Sequence, residues 1–416
     1  MKPLSPLRQQ PLIRVGILSA PQLHFVLNGP YRQGTHSVTG AQTAQYSQGA
    51  IQWNGREYDE LIFRPEADGA TLTLSDVTIG LRFHWQRQET QTFGGTLRII
   101  PDANRLVAIN VLPVEDYLVS VISSEMRSTS SLQFLKASAV VARSWLFAQL
   151  NRKSETSDNP KTPVVPGEDI VLRWYDREDH TLFDVCADDH CQRYQGLSRA
   201  LNPQVERAVR ETHGLVLAYD GEVCDARFGK CCGGRTNEFQ YCWQNVRVPY
   251  LRSVRDLYCH TSDAEVLRQV LNDYDQETTD FYRWSVTLTQ QELHALILSR
   301  QGYDVGVVLR LEAVERGPGG HISLLRIVGS KRSLLVGKEL EIRRTLSNSH
   351  LRSSAFVAEA LDICNGIPQR FRLKGRGWGH GVGMCQIGAA MMGEQGHTYE
   401  EILHHYFTDV AIERYY

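Results

Sequence analysis

The spacing of apolar residues along the chain predicts a strand-rich beginning. From about residue 13 to 110, short runs of β-branched and aromatic residues alternate with Asn-Gly and Gly turns, a pattern typical of strands joined by tight turns. The predicted strands are IRVGILS, LHFVLNG, AIQWNG, DELIF, TLTLSDVTIG and GTLRIIP. We therefore expect a β-rich N-terminal module over residues 1–110.

At Pro113 the apolar spacing changes to steps of three and four residues, which is the period of an amphipathic helix. Helices are predicted at 114–121, 132–150, 201–212 and 399–407. Ser130 and Ser131 are candidate caps for the second of these. The polar, proline-bearing segment 151–169 is predicted to be a loop. Strand-like runs around a helix at 290–299 predict a lobe of mixed α and β structure.

Composition and charge narrow the class of protein. A chain of 416 residues with 42% hydrophobic content can bury a full core. The formal charge of -2 gives no basic field for nucleic acid, so nucleic acid is a poor candidate partner. No run of 18 apolar residues occurs, so no membrane span is expected. Prolines near the N-terminus interrupt any signal-peptide core, and no export signal is visible.

One carboxylate, Glu125, lies in a polar turn between the first two predicted helices, within LPVEDYLVSVISSEMRSTSSLQFLKASAVVAR at 112–143. Cleavage of a glycosidic bond needs a carboxylic acid that gives its proton to the leaving oxygen. The apolar neighbours Ile122 and Met126 would partly desolvate such a group and favour its protonated form. The alternative is an ordinary helix-end or salt-bridge residue, since most charged side chains lie in solvent.

This stretch resembles the signature of the SpoIID/LytB family of bacterial cell-wall proteins. The resemblance is carried by Glu115, Glu125-Met126, Ala139 and Arg143, together with Leu112-Pro113, Tyr117-Leu118 and Leu135-Lys136, in the family's order and spacing. It implies that Glu125 is the acid/base of a lytic transglycosylase. In that reaction the 6-hydroxyl of muramic acid attacks its own anomeric carbon, so one Glu suffices. Arg143 would orient the substrate or Glu125.

Two further blocks extend the resemblance over roughly 105–416. GRGWGHGVGMCQIG near the C-terminus is glycine-rich, and its backbone can adopt positive φ and approach a ligand closely. Beside it Trp378, His380 and Gln386 would form one wall of a sugar groove. The alternative is a tight packing turn that needs glycine for steric reasons, and both can hold.

The third block, FGKCCGGRTNEFQYCW, matches the family's Gly-Gly-x-Thr element. Gly233, Gly234 and Thr236 are therefore candidate contacts for sugar hydroxyls or N-acetyl groups. The family usually has serine where this chain has Cys385, which argues against a nucleophilic role and predicts a buried small residue there. A disulfide from Cys231 or Cys232 to Cys242 or Cys259 is a further option.

His180, Cys186, His190 and Cys191 lie within twelve residues, and this ligand set suits a tetrahedral structural zinc. Some SpoIID proteins carry zinc on a His, Cys, His, Cys set in this region, so the resemblance supports the same site here. A Cys186 to Cys191 disulfide and free thiols are the alternatives. A zinc held by four protein ligands would pin a loop and take no part in the chemistry.

The resulting expectation is an α+β protein, a mixed multi-lobed body with a long helix beneath a groove and a β-rich N-terminal module. Its core is expected in two pieces, 111–264 and 351–416, separated by the α+β lobe at 265–350. The implied function is peptidoglycan glycan cleavage between N-acetylmuramic acid and N-acetylglucosamine, in the cell envelope. The alternative is a non-catalytic enhancer of a cell-wall amidase. No HExxH supports a metallopeptidase, and adjacent cysteines offer no clear nucleophile for a cysteine hydrolase.

Overall fold

The computed structural model describes residues 2–80, 87–126, 130–155, 165–167, 169–174, 180–188, 191–198, 202–270 and 280–416. The helices are α1 (Val114–Glu125), α2 (Leu132–Glu155), α3 (Pro203–Glu211), α4 (Ala264–Val270), α5 (Gln290–Gln301), α6 (Glu339–Thr345), α7 (Gln386–Glu394) and α8 (Tyr399–Tyr406). Short 3-10 turns lie at Gly196–Ser198 and Phe239–Tyr241.

The first thirteen strands precede α3. They are β1 (Leu12–Ala20), β2 (Gln22–Gln33), β3 (His36–Ser47), β4 (Ala50–Trp53), β5 (Arg56–Tyr58), β6 (Leu61–Pro65), β7 (Thr71–Ile79), β8 (Arg87–Phe93), β9 (Thr96–Asp102), β10 (Arg105–Pro113), β11 (Val165–Gly167), β12 (Ile170–Leu172) and β13 (Val185–Cys186).

The later strands follow α3. They are β14 (Leu215–Tyr219), β15 (Glu222–Val223), β16 (Phe228–Gly229), β17 (Arg283–Thr289), β18 (Val308–Arg316), β19 (Ile322–Gly329), β20 (Ser333–Gly337), β21 (Phe356–Cys364), β22 (Ile367–Arg376), β23 (Met384–Cys385) and β24 (Ala411–Arg414). The expected α+β class and the sheet-rich N-terminal region are confirmed.

The chain forms two compact units. The N-terminal unit comprises Ser5–Ser128, Arg177–Leu215 and Arg414–Tyr416. The C-terminal unit comprises Met1–Leu4, Thr129–Asp176 and Val216–Glu413. Among the described residues, no helix combines the length and apolar character that crossing a bilayer requires.

The N-terminal unit is built on a large sheet with the order β13-β1-β10-β9-β6-β2-β3-β4-β5, and β7 and β8 join it through β2. Alternate residues of its strands are buried, as the period of two requires. Aromatic rings fill the interior: Phe25 and Phe63 meet edge to face at 5.2 Å, and Trp53 meets Phe63 at 5.4 Å. Such pairs add stability beyond the area they bury.

Helix α1 packs against the segment 191–198 of the same unit through aromatic and polar contacts. Tyr117 stacks on Tyr194 at 5.3 Å, and its hydroxyl is 3.2 Å from the Gln192 side-chain oxygen. The Ser120 hydroxyl donates to the Gly196 carbonyl at 2.8 Å. The segment 191–198 is thereby fixed along α1, because buried polar groups need such partners.

In the C-terminal unit, the sheets β11-β12-β20-β19-β18 and β17-β22-β21 share a hydrophobic core with α5 and α6. Helix α5 begins with a capping box between Thr289 and Glu292 and ends at Gly302, whose φ of 76° terminates the helix. Helix α2 packs against α7 and α8 in the same unit.

The predicted loop at 151–169 is partly wrong. Helix α2 continues through Glu155, five residues beyond its predicted end at 150. Residues 165–167 form strand β11, paired with β12, so Pro166 lies in a strand. The rest of the predicted loop, 156–164, lies outside the described residues. Ser131 does cap α2, since its hydroxyl accepts from the Phe134 amide at 3.3 Å.

Candidate functional site

Glu125 is the last residue of α1, in the N-terminal unit. Helix α1 ends there because Met126 adopts an extended backbone while its amide still donates to the Ile122 carbonyl at 2.8 Å. Ile122 and Met126 are buried, whereas Glu125 is only half-buried. Within the described part of the chain, its carboxylate forms no hydrogen bond or ion pair. This leaves the carboxylate free to meet a substrate.

A cleft of about 450 Å³ lies at the other end of α1, within the same unit. Glu115 and Asp116 line it together with Ser120, Tyr194 and Arg210, and Glu125 does not. Burial and the neighbouring Glu115 raise the pKa of Asp116 above its ordinary value. Glu115 is held internally, because its carboxylate accepts from the Gly214 amide and the Tyr416 hydroxyl.

The two glycine-rich blocks meet in the C-terminal unit. Cys231 and Trp378 exchange both backbone hydrogen bonds, at 3.2 and 2.8 Å, and Asn237 donates to the Gly381 carbonyl at 2.7 Å. The Trp284 indole adds a hydrogen bond to the Gly377 carbonyl at 3.0 Å. Segments about 145 residues apart in sequence therefore form one backbone-lined surface, which we call the glycine wall, 231–237 with 375–383.

Most glycines of the wall are needed for packing. A Cβ at Gly383 would lie 2.0 Å from the Arg227 carbonyl, and one at Gly377 would lie 2.7 Å from the Cys231 carbonyl. Gly233 is similar, with the Gly377 amide at 2.7 Å. Gly379 differs, because its φ is +95° and nothing lies within 4 Å of the position of its missing Cβ. Packing therefore accounts for most of these glycines but not for Gly379.

His321 supports this wall and was not among the predicted site residues. It is fully buried, and its Nε2 lies 3.2 Å from the Gly379 carbonyl. Its ring occupies the space where a Cβ on Gly381 would lie, 2.5 Å from the nearest ring atom. Burial lowers the pKa of His321 to about 3, so its imidazole is neutral at neutral pH. No local motif marks His321, because its role depends on a contact across about 60 residues.

Trp378 and His380 both lie on the wall, but their side chains contact different neighbours. Trp378 is half-buried, with Phe281 at 5.2 Å and the Arg352 guanidinium 5.6 Å above its ring. The His380 imidazole packs against Trp243 at 4.9 Å, and its Nδ1 accepts from the Val382 amide at 3.0 Å. Burial, and then the charge of Arg227, lower the pKa of His380 to about 3. His380 is thus a half-buried imidazole that is neutral at neutral pH and bonded to its own loop.

Three of the predicted substrate contacts are buried side chains. Arg143, Thr236 and Gln386 are each at most 3% exposed. The Thr236 hydroxyl accepts from the Val254 amide at 2.8 Å. Gly233 is buried as well, whereas Gly234 and Trp378 are partly exposed. Gly234 lies against the Tyr282 hydroxyl, with its Cβ position 3.1 Å away.

The predicted zinc ligands lie in the N-terminal unit. The ligand atoms of His180, Cys186 and Cys191 are all within 4.8 Å of one another, and His180 Nε2 is 3.4 Å from Cys191 Sγ. The fourth predicted ligand, His190, lies outside the described residues. Cys186 and Cys191 form no disulfide. Nitrogen and sulfur ligands of one tetrahedral zinc lie about 3.6 Å apart, so the three side chains fit the ion.

Local structure explains why these side chains converge. Strand β13 pairs with β1, which puts Cys186 opposite Gly16, and Arg14 holds Asp184 through two side-chain hydrogen bonds. The turn that follows is closed by the Cys191 amide, which donates to the Asp188 carbonyl at 3.0 Å. The Cys186 amide also donates to Cys191 Sγ at 3.4 Å. Backbone amides commonly donate in this way to metal-bound thiolates.

Two stretches of the chain match known protein families. Residues 102–219 match the family model "Stage II sporulation protein", and residues 237–383 match a domain of unknown function (DUF8618). The expected resemblance to the SpoIID family is confirmed over residues 102–219, the stretch that includes Glu125.

Three relatives are similar over most of the chain. An uncharacterized protein of Brachyspira hyodysenteriae is 27% identical over 77% of this chain and 72% of its own length. Stage II sporulation protein D of Bacillus amyloliquefaciens is 26% identical over 73% of this chain and 75% of its own length. The amidase enhancer of Bacillus subtilis is 26% identical over 72% of this chain and 40% of its own length.

Proposed function

We propose that this protein acts on the bacterial cell wall, outside the cytoplasm, as a lytic transglycosylase in which Glu125 is the general acid and base. The observation that carries the proposal is the Glu125 carboxylate itself. It stands at the end of α1, half-exposed, beside buried Ile122 and Met126, and without a partner among the described residues. A proton donor needs this freedom to approach the glycosidic oxygen.

The reaction requires one carboxyl group. Protonated Glu125 gives its proton to the oxygen that links N-acetylmuramic acid to N-acetylglucosamine as the bond from that oxygen to the anomeric carbon breaks. The 6-hydroxyl of the muramic acid then forms the new bond to the anomeric carbon. The Glu125 carboxylate accepts the hydroxyl proton, which restores the acid and leaves a 1,6-anhydro-muramic end.

The glycine wall is proposed to hold the glycan in the C-terminal unit. Trp378 offers an aromatic face for sugar stacking, and Gly379 leaves space for a ligand because nothing lies within 4 Å of the position of its missing Cβ. Thr236 is proposed to keep the wall in shape, because its buried hydroxyl accepts from the Val254 amide. Arg143 and Gln386 are buried on α2 and α7 and are not proposed to contact the sugar. The zinc proposed at His180, Cys186 and Cys191 has a structural role, since it would tie these three side chains together.

The test is a Glu125→Gln variant assayed on purified peptidoglycan glycan strands, with 1,6-anhydro products measured by mass spectrometry. Because glutamine keeps the size of the side chain and cannot give up a proton, we expect product formation to fall about 100-fold or more. Binding to glycan strands should remain. Glu222→Gln is the matched control, since Glu222 is an exposed glutamate on β15.

Equal product release by the wild type and Glu125→Gln would remove Glu125 from the chemistry. Thermal unfolding of each variant separates a catalytic loss from a folding defect, because an unfolded variant would also lose glycan binding. Glu222→Gln should release product at the wild-type rate.

A second function is favoured by the relative named amidase enhancer. In that case the chain would bind glycan strands and stimulate a cell-wall amidase without cutting glycan. Purified amidase assayed with the wild type and with Glu125→Gln distinguishes the two. Stimulation that survives in Glu125→Gln, with no anhydro product from the wild type alone, would identify an enhancer.

A further inference from the structure

Four buried side chains with metal-binding atoms converge in the C-terminal unit, apart from the His180 group. Cys232, Asp256, Cys259 and Cys385 place one sulfur or oxygen atom each within 4.8 Å of all the others. Each residue is at most 2% exposed. Thiolates and carboxylates buried together need a cation to compensate their charge.

We propose that these four residues form a second structural metal site, a closed tetrahedral site for zinc with three thiolates and one carboxylate. It goes beyond the proposed glycan cleavage and is independent of it. Sulfur ligands select thiophilic ions, and four protein ligands with tetrahedral spacing are typical of structural zinc. Because all four side chains are buried, no coordination position is left for substrate or water.

The distances fit a bound ion better than a disulfide. Cys232 Sγ lies 3.6 Å from Cys259 Sγ and 3.2 Å from Asp256 Oδ2. Zinc with Zn–S bonds of about 2.3 Å places two sulfur ligands about 3.8 Å apart. A disulfide would require about 2.05 Å, and no described cysteine forms one.

The turn after Val254 provides two of the ligands as a chelate. Asp256 and Cys259 are three residues apart, a spacing within the range of the Cys pairs in structural zinc sites. Asp256 Oδ1 accepts from the amides of Tyr258 and Cys259, at 2.9 and 3.1 Å, which fixes the carboxylate. Its Oδ2 points at Cys232 and accepts from the Tyr406 hydroxyl at 3.1 Å. Such outer hydrogen bonds orient metal ligands.

The other two ligands come from separate segments. Cys232 precedes the Gly-Gly turn, and Cys385 is the residue before α7, where the helix N-terminus stabilises a thiolate. The Cys232 amide points at Cys385 Sγ, at 3.3 Å. The Cys231 thiol lies beside Cys259 and Cys385 as a neighbour of the site. A metal here would link the glycine wall to α7 and to the turn at 256–259.

The test compares the zinc content of purified protein by elemental analysis. We expect Cys259→Ser and Asp256→Asn each to hold one equivalent less metal than the wild type, whatever the His180 group binds. Cys242→Ser is the matched control, because Cys242 is also buried but lies outside the four. It should hold as much as the wild type. Elemental analysis also distinguishes zinc from iron.

A measurement on the wild type alone covers the case in which a variant does not fold. Alkylation with peptide mapping should label Cys364, which is exposed, at once, and Cys232, Cys259 and Cys385 only after a chelator is added. Cobalt loaded into the protein should show thiolate charge-transfer absorption. Equal metal in the wild type and Cys259→Ser, or disulfides among these cysteines, would overturn the site. Loss in Cys231→Ser with retention in Asp256→Asn would overturn this ligand set.

Discussion

At the residue scale, His321 shows how one buried side chain shapes the glycine wall. Its Nε2 to Gly379 contact of 3.2 Å and its ring against Gly381 make it the support of the turn that carries Trp378. No partner is found for its Nδ1 among the described residues. A protonated ring would carry a second N–H donor into this buried site, so the wall depends on neutral histidine.

We predict that His321 makes the folded protein less stable in acid. Burial lowers its pKa from 6.5 to about 3, so between these values the unfolded chain binds a proton that the folded chain does not. The free energy of unfolding therefore decreases as the pH falls below about 6.5. The loss from this residue is about 2 kcal/mol near pH 5, relative to neutral pH. Urea unfolding of the wild type and of His321→Gln at both pH values measures it, because His380 has a similarly lowered pKa and contributes equally to both proteins.

His321→Gln is the informative variant for that measurement, because glutamine can still donate to the Gly379 carbonyl but does not titrate. It should be less stable than the wild type at neutral pH and lose less stability on acidification. A pH dependence identical to that of the wild type would show that His321 is not the responsible group.

At the element scale, the turn 377–383 combines glycines with different requirements. Gly381 has a φ of +69° and the His321 ring against it, while Gly379 has a φ of +95° and open space. A glycine required by packing and one that leaves backbone exposed look the same in sequence. They differ in what an added methyl group would meet.

We predict that Gly379→Ala and Gly381→Ala separate stability from binding. Gly379→Ala should cost about 1–2 kcal/mol, the strain of a left-handed backbone, and should weaken glycan binding because the methyl group fills the open space beside Gly379. Gly381→Ala should cost roughly 1–3 kcal/mol more, because its Cβ meets the His321 ring. Thermal unfolding and glycan pull-down measure the two effects. A Gly379→Ala variant that binds glycan normally would remove this backbone from the proposed site.

Elements with a strong local period were predictable, and those defined by partners were not. Helices α1, α2, α5 and α8 follow apolar residues at helical spacing, and they were found close to the predicted positions. Strand β3 was not predicted, because most of its residues are polar, all but one are at least partly exposed, and its conformation depends on pairing with β2. The same reason applies to β8, which pairs with β7.

The candidate site divides in the same way. Glu125 was identified by a contiguous motif, and Cys385 was correctly predicted to be a buried small residue. The convergence of Cys385 with Cys232, Asp256 and Cys259 was not predicted, because these residues span about 150 positions and share no local pattern. Sequence spacing can indicate a pair of nearby ligands such as Asp256 and Cys259. It cannot indicate which distant segments supply the remaining ligands.

At the scale of the whole molecule, the two proposed metal sites belong to different units. His180, Cys186 and Cys191 lie in the N-terminal unit, and Cys232, Asp256, Cys259 and Cys385 lie in the C-terminal unit. Structural metal contributes directly to folding free energy, so each ion should stabilise the unit that holds it.

Hydrogen exchange can therefore assign each ion to its unit, since local opening takes place in contiguous cooperative segments. A chelator added to the wild type should raise exchange roughly tenfold or more in β1 and β13 and in α7 with the turn at 256–259. Cys191→Ser should reproduce only the first change and Cys259→Ser only the second, while exposed Cys364→Ser should change neither. A chelator removes a bound ion but leaves side-chain packing intact. If α7 and the turn at 256–259 stayed protected after chelation, Cys232, Asp256, Cys259 and Cys385 would therefore be held together by packing alone.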